Sequence, residues 1–132
     1  MKLLSHPIQR ASVRIAASEL DGGLALEGTL REAEGPGAWL KPLVEDLHRR
    51  AVERDLAQVV LDIRGVDYAN AAAWKCFVHW LRLAREDPAA RYSVCIMASQ
   101  SQRWQQLGMP ALRAFGGHHL EVHLYDGDER VA

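Results

Sequence analysis

Apolar and polar positions alternate in two short stretches near the start of the chain, 11–17 (ASVRIAA) and 23–28 (GLALEG), on either side of Asp21-Gly22-Gly23. A period of two flanking a tight glycine turn predicts an opening β-hairpin. After the break at Glu34-Gly35-Pro36-Gly37 the period lengthens: Leu40, Leu43, Val44, Leu47 and Ala51 recur at helical spacing with charges between them. Pro42 fits a helix only in its first turn, which puts the helix start around Leu40 to Pro42. Residues 58–63 (QVVLDI) form a nearly continuous apolar run, the pattern of a strand covered on both faces. The strongest helical period follows at 71–85, with Trp74, Phe77, Val78, Leu81 and Ala84 as its inward stripe and Asp87-Pro88 as its stop. Residues 92–97 (YSVCIM) predict another buried strand. Ser99 or Ser101 can cap a short helix through Leu107 that Gly108 and Pro110 close. Gly116-Gly117 then makes a turn, Leu120, Val122 and Leu124 alternate as a last strand, and 126–132 reads as a flexible, frayed tail.

The order of elements is two strands, then helix and strand in three repeats. Strands alternating with helices call for right-handed crossovers and a largely parallel sheet, to which the hairpin adds an antiparallel edge. The expected fold class is α/β: one mixed sheet of about five strands with three to four helices. The length of 132 residues suits a single domain spanning 1–132, its core at about 11–125. A formal net charge of −1 removes the basic excess on which phosphate-neutralising nucleic-acid binders rely. The basic run His48-Arg49-Arg50 is offset by Glu45, Asp46, Glu53 and Asp55. No segment has the unbroken apolar length of a membrane span, and the opening Met1-Lys2-Leu3-Leu4 falls short of an export-signal core. Cys76 and Cys95 lie in periodic apolar segments without a CxxC pair, so reduced core thiols and a cytoplasmic location are expected.

Three stretches, in order and at matching spacing, resemble the STAS family, the domains of bacterial anti-sigma-factor antagonists and of sulfate-transporter tails. Leu26-Glu27-Gly28-Thr29-Leu30 is similar to the family's apolar-x-Gly-x-Leu ending of the second strand. Residues 59–78 (VVLDIRGVDYANAAAWKCFV) resemble the strand followed by Asp-Ser-Ser-Gly-Leu-Gly at a helix start. Leu107-Gly108-Met109 is similar to the Gly-Leu that follows the third helix. The resemblance covers about 23–124. It implies a regulatory domain that meets a histidine-kinase-like ATPase, of the anti-sigma-factor or serine-kinase type, in a partner-switching system. The chain departs from the family at the switch itself. Asn70 stands for the Asp, Ala71 for the phosphorylatable Ser or Thr, and Ala72 and Ala73 follow in place of Ser and Gly. An alanine methyl has no oxygen to accept a phosphoryl group.

By the resemblance, the partner surface falls at Asp67, Tyr68, Asn70, Ala71, Ala72 and Ala73. At about 100° per residue, Ala72, Ala73, Cys76, Trp80 and Leu83 widen the apolar arc of the second helix beyond what facing one sheet requires. Such an arc packs on a neighbouring helix or on a partner. Trp80 and Leu83 are the residues expected to be exposed, with Cys76 on the same path, and self-association as a homodimer would use the same side chains. In the last strand His119, Glu121 and His123 fall at i, i+2 and i+4 and share a face, a set that could hold zinc. They are equally the polar outer face of a strand whose inner face is Leu120, Val122 and Leu124, and the reading assigns no metal. Cys76 and His79, at i and i+3, lack any sign of an oxyanion pocket. No nucleotide-binding glycine motif occurs, and no cofactor is expected. The sequence therefore reads as a non-catalytic protein-interaction module. A STAS-like scaffold subunit of a transporter or envelope assembly is the second reading, and a small metal- or thiol-dependent enzyme a distant third.

Overall fold

The computed structural model describes residues 4, 6–10, 12–17, 22–33, 35 and 38–132, with the side chains of all of these but 106 and 107. It is an α/β structure with a mixed sheet and three main helices, as the sequence pattern predicts, but the sheet has seven strands rather than about five. In chain order the elements are β1 (Ile8–Arg10), β2 (Val13–Ala17), β3 (Gly23–Leu30), α1 (Leu40–Glu53), β4 (Gln58–Ala69), α2 (Ala71–Glu86), β5 (Ser93–Ser99), α3 (Arg103–Gly116), β6 (Leu120–Asp126) and β7 (Glu129–Arg130). The strands lie in sequence order across the sheet. The expected hairpin pairs β2 with β3 from Val13↔Gly28 to Ala17↔Leu24; Asp21 of its turn, and 34, 36 and 37 of the next break, lie outside the described residues.

β3, β4, β5 and β6 are mutually parallel. With neighbouring strands connected in order, right-handed crossovers place every intervening helix on the same face of the sheet. The packing agrees: α2 touches both α1 and α3, and one core cluster unites Leu26, Leu61 and Ile96 with Val44, Phe77 and Leu112. The opposite face bears Val60, Asp62, Cys95, Met97, Glu121 and His123, which alternate with the core positions of their strands. α2 is thus the middle helix of three, and most of its wide apolar arc packs on the sheet and two helical neighbours, while Trp74 and Val78 stay half-buried.

Two glycines are demanded by close approach. Gly28 has φ +105, and a Cβ there would run into the Ser12 carbonyl, whose oxygen accepts from Thr29 N–H at 3.0 Å. Gly108 does not end α3. It lies inside it, where a methyl would collide with the Trp74 indole, so the glycine lets α3 pack close on α2. Pro110 is also inside α3, on its exposed side, and has no N–H to give to the helical ladder. Neither Ser99 nor Ser101 caps this helix; its N-cap is Gln102, without a side-chain cap bond.

β4 runs six residues past the expected strand end at Ile63. Its ladder with β5 stops at Asp62↔Met97, while pairing with β3 continues to Leu30↔Ala69. The gap between the splayed strands is stitched by Gln105 of α3, fully buried. Its amide nitrogen donates to the carbonyls of Ile63 (2.8 Å) and Val66 (3.0 Å), and its oxygen accepts from Ser99 N–H (2.8 Å). Residues 126–132, expected to fray, turn back so that β7 pairs with β6 at Tyr125↔Arg130.

Candidate functional site

The end of β4 and the start of α2 meet the segment leaving β3. Asn70 is the N-cap of α2, as predicted: its Oδ1 accepts from Ala73 N–H at 3.0 Å. The same oxygen accepts from Glu32 N–H at 3.1 Å, and Nδ2 donates to the Glu32 carbonyl at 3.0 Å. These partners dictate the orientation of the amide, and an aspartate could not make the last bond, since a carboxylate only accepts.

Glu32 carries this clasp onward to α1. The α1 N-cap, Trp39, contributes no side-chain bond, and the first turn holds no acidic residue. The Glu32 carboxylate instead accepts from the backbone N–H groups of Trp39 (3.0 Å), Leu40 and Lys41 (3.0 Å), as well as its neighbour Ala33 (2.9 Å). It thereby answers the orphan donors and the positive end of the helix from eight residues upstream. One residue, Glu32, joins the two helix starts, its backbone bonded to the Asn70 side chain at α2 and its carboxylate to the first turn of α1, and no local sequence signal marks it.

The predicted surface residues separate on this frame. Asp67 is exposed and accepts from the Thr29 hydroxyl at 2.8 Å. Tyr68 is 45% exposed, with the Arg31 guanidinium 5.3 Å from its ring centre. Ala71 is exposed and Ala72 half-buried, but Ala73 is fully buried, so three alanines do not make one flat surface. Trp80 corrects the expectation most sharply: it is 1% exposed, and its indole N–H donates to the Tyr92 hydroxyl at 2.8 Å. Cys76 is buried and Leu83 half-buried. The inward stripe is Ala73, Cys76, Phe77, Trp80, Leu81 and Ala84, while Trp74 and Val78 are turned toward α3.

Open surface is found on that other side. A groove of about 560 Å³ runs between α2 and α3 from Ala71 to Phe115, floored by Trp74, Val78, Gly108 and Leu112 and edged by Lys75, His79 and Arg82. A second cleft, about 370 Å³, lies between the starts of α1 and α2 and is lined by Glu32, Lys41, Ala72, Cys76 and His79. His79 borders both. Its Nε2 is buried without a hydrogen-bond partner; the Glu45 carboxylate is 3.9 Å away, beyond hydrogen-bond range. Sequence reasoning missed this groove because it placed Trp74 and Val78 in the core.

Cys76 does not have the character of a nucleophile. Burial, with the Glu32 carboxylate 3.9 Å from its sulfur, pushes the thiol up to about 11 from 9.0. A native-state proton held this tightly is a stabilising contribution present below pH 9 and lost as pH rises toward 11. A pKa of about 11 in place of 9.0 leaves about 100-fold less thiolate at neutral pH. Cys76 in the native protein should therefore be alkylated by iodoacetamide about 100-fold more slowly than in urea, as read by peptide mass spectrometry. Equal rates would show an accessible, ionised thiol.

The histidine set predicted in the last strand is only partly assembled. His119 lies in a 3₁₀ turn (Gly117–His119) before β6, and its Nδ1 is 3.2 Å from the Tyr92 carbonyl. Glu121 and His123 do share a face, and β5 adds Cys95 beside them. No family model, curated protein or solved structure matches the chain.

Proposed function

We propose that this chain is a non-catalytic interaction module of the anti-sigma-factor-antagonist kind. Its contact surface, in this reading, starts at Ala71 and follows the groove between α2 and α3. The observation that carries the proposal is the junction at Asn70: an exposed helix start, without a phosphorylatable side chain, opens directly onto an apolar groove. The static clasp between Asn70 and Glu32 suits a contact that is constitutive rather than switched. The expected partner is a cytoplasmic protein with a histidine-kinase-like ATPase domain.

Two variants test the surface. Ala71→Asp places a charge where related domains carry a phosphate, and the positive end of α2 tolerates it, so stability should change by no more than about 0.5 kcal/mol. Val78→Asp puts a carboxylate into the groove floor. Both should weaken binding to the partner recovered by the wild-type chain at least about 10-fold, because an unpaired carboxylate is costly to desolvate. In the presence of ATP and such a partner, Asn70 to Ala73 should take up no phosphate. Phosphate on Ser99 or Ser101 would mean the switch has moved. Unchanged affinity in both folded variants would remove this surface from the proposal, and recovery of a transporter subunit would favour the scaffold reading.

A further inference from the structure

We propose that Cys95, Glu121 and His123 form a zinc-binding site on the face of the sheet opposite the three main helices. The site is built by register. Cys95 of β5 lies opposite Glu121 of β6, and the next same-face position of β6 is His123, paired with Met97. Three donors from two adjacent strands therefore converge, although 28 residues separate Cys95 from His123 in sequence. The Cys95 sulfur is 3.9 Å from His123 Nε2, Nε2 is 3.0 Å from Glu121 Oε1, and the donor atoms all fall within 4.8 Å of one another. Donors around a four-coordinate zinc, with bonds of about 2.0–2.3 Å, stand about 3.5 Å apart. Closing the set needs only small rotations of Glu121, which is exposed, and His123, which is half-buried.

The chemistry points to zinc among common divalent ions. One thiolate, one imidazole and one carboxylate form a borderline-soft set that magnesium and calcium disfavour. Binding exchanges a proton for the metal: the Cys95 thiol releases H⁺ to solvent as the sulfur–zinc bond forms, and the neutral imidazole and the carboxylate each give an electron pair. Thiolate and carboxylate together cancel the dication, which keeps the site electrically neutral on a face where Cys95 is only 3% exposed. Cys95 is fixed by backbone pairing to β4 and β6 on either side. Gln58 Nε2 donates to the second Glu121 oxygen at 3.4 Å, an outer contact that orients the carboxylate. Three protein ligands leave the fourth position to solvent. The bare alternative is a surface Glu121–His123 ion pair beside an unrelated thiol, and that pair has no need of Cys95.

Cobalt(II) titration of the purified chain, with zinc as competitor, tests the site. The expected result is uptake of one equivalent, a sulfur-to-cobalt charge-transfer band in the near ultraviolet, and loss of that band when zinc is added. Cys95→Ser and His123→Gln should each weaken binding by about 100-fold or more, since even outer-shell changes cost 10–100-fold. Cys76→Ser and His119→Gln should leave it unchanged. On the wild-type chain, zinc should slow alkylation of Cys95 at least about 10-fold while leaving Cys76 unaffected, a measurement that needs no variant to fold. Absence of stoichiometric uptake overturns the site, as does binding that survives Cys95→Ser, or zinc that leaves Cys95 alkylation unchanged.

Discussion

Trp80→Ala is expected to remove about 3–5 kcal/mol of folding stability, the cost of truncating a large buried aromatic. The indole is 1% exposed and faces Leu24, Leu47, Leu61 and Phe77, so it joins α2 to α1 and to the sheet at once. It also begins a buried polar chain. Trp80 N–H donates to the Tyr92 hydroxyl; that hydroxyl is 2.7 Å from His48 Nδ1, and His48 Nε2 is 2.9 Å from Asp87 Oδ2. Because the tyrosine oxygen already accepts from Trp80, its own proton is free to go to Nδ1, leaving Nε2–H to meet the Asp87 carboxylate. The chain links α2, α1 and the residue just before β5 through side-chain hydrogen bonds. Trp80→Phe keeps most of the volume and loses only the N–H, so it should cost about 1–2 kcal/mol. Urea titrations with equal slopes would give both values. A loss under about 1 kcal/mol for Trp80→Ala would mean that the side chain is not core. Domains of this size hold roughly 5–15 kcal/mol in total. The alanine variant therefore reports on folding and is unsuited to mapping the partner surface.

Glu32→Ala should cost about 3 kcal/mol, more than any ordinary surface carboxylate, because it strips the first turn of α1 of its acceptor. Glu32→Gln retains one accepting oxygen and should lose about half as much. The glutamine variant also carries a readout independent of stability. The Glu32 charge helps to hold the Cys76 thiol in its protonated form, so its removal should shift the onset of Cys76 alkylation to lower pH. If native Cys76 reacts along the same pH profile in wild type and Glu32→Gln, the carboxylate does not act on the sulfur. If Glu32→Ala melts with the wild type, water caps α1 just as well.

Local pattern carried the fold class and most element positions. The α1 start at Leu40, the α2 start after Asn70 and the order of crossovers follow from capping, proline position and period, which are properties of a few neighbouring residues. Where local rules failed, a distant contact had outweighed them. Gly108 and Pro110 look like a helix stop, but Gly108 is there because Trp74 approaches it, and α3 runs on to Gly116. The tail reads as polar and frayed, yet its backbone donors pair with β6.

The candidate surfaces divide along the same line. That Ala71 cannot be phosphorylated is a matter of covalent chemistry, and the sequence alone decides it; the capping role of Asn70 follows from its place before a helical period. Which side of α2 meets solvent was not decidable that way, because a helix apolar on three sides presents no unique inward direction until its neighbours are placed. Packing α2 between α1 and α3 buries Trp80 and leaves Trp74 and Val78 along a groove. Glu32 as a cap from outside the helix, Gln105 as a stitch between splayed strands and the meeting of Cys95 with His123 all join residues that no local pattern pairs. Only the register of the sheet and the packing of helices on it bring such groups within bonding distance.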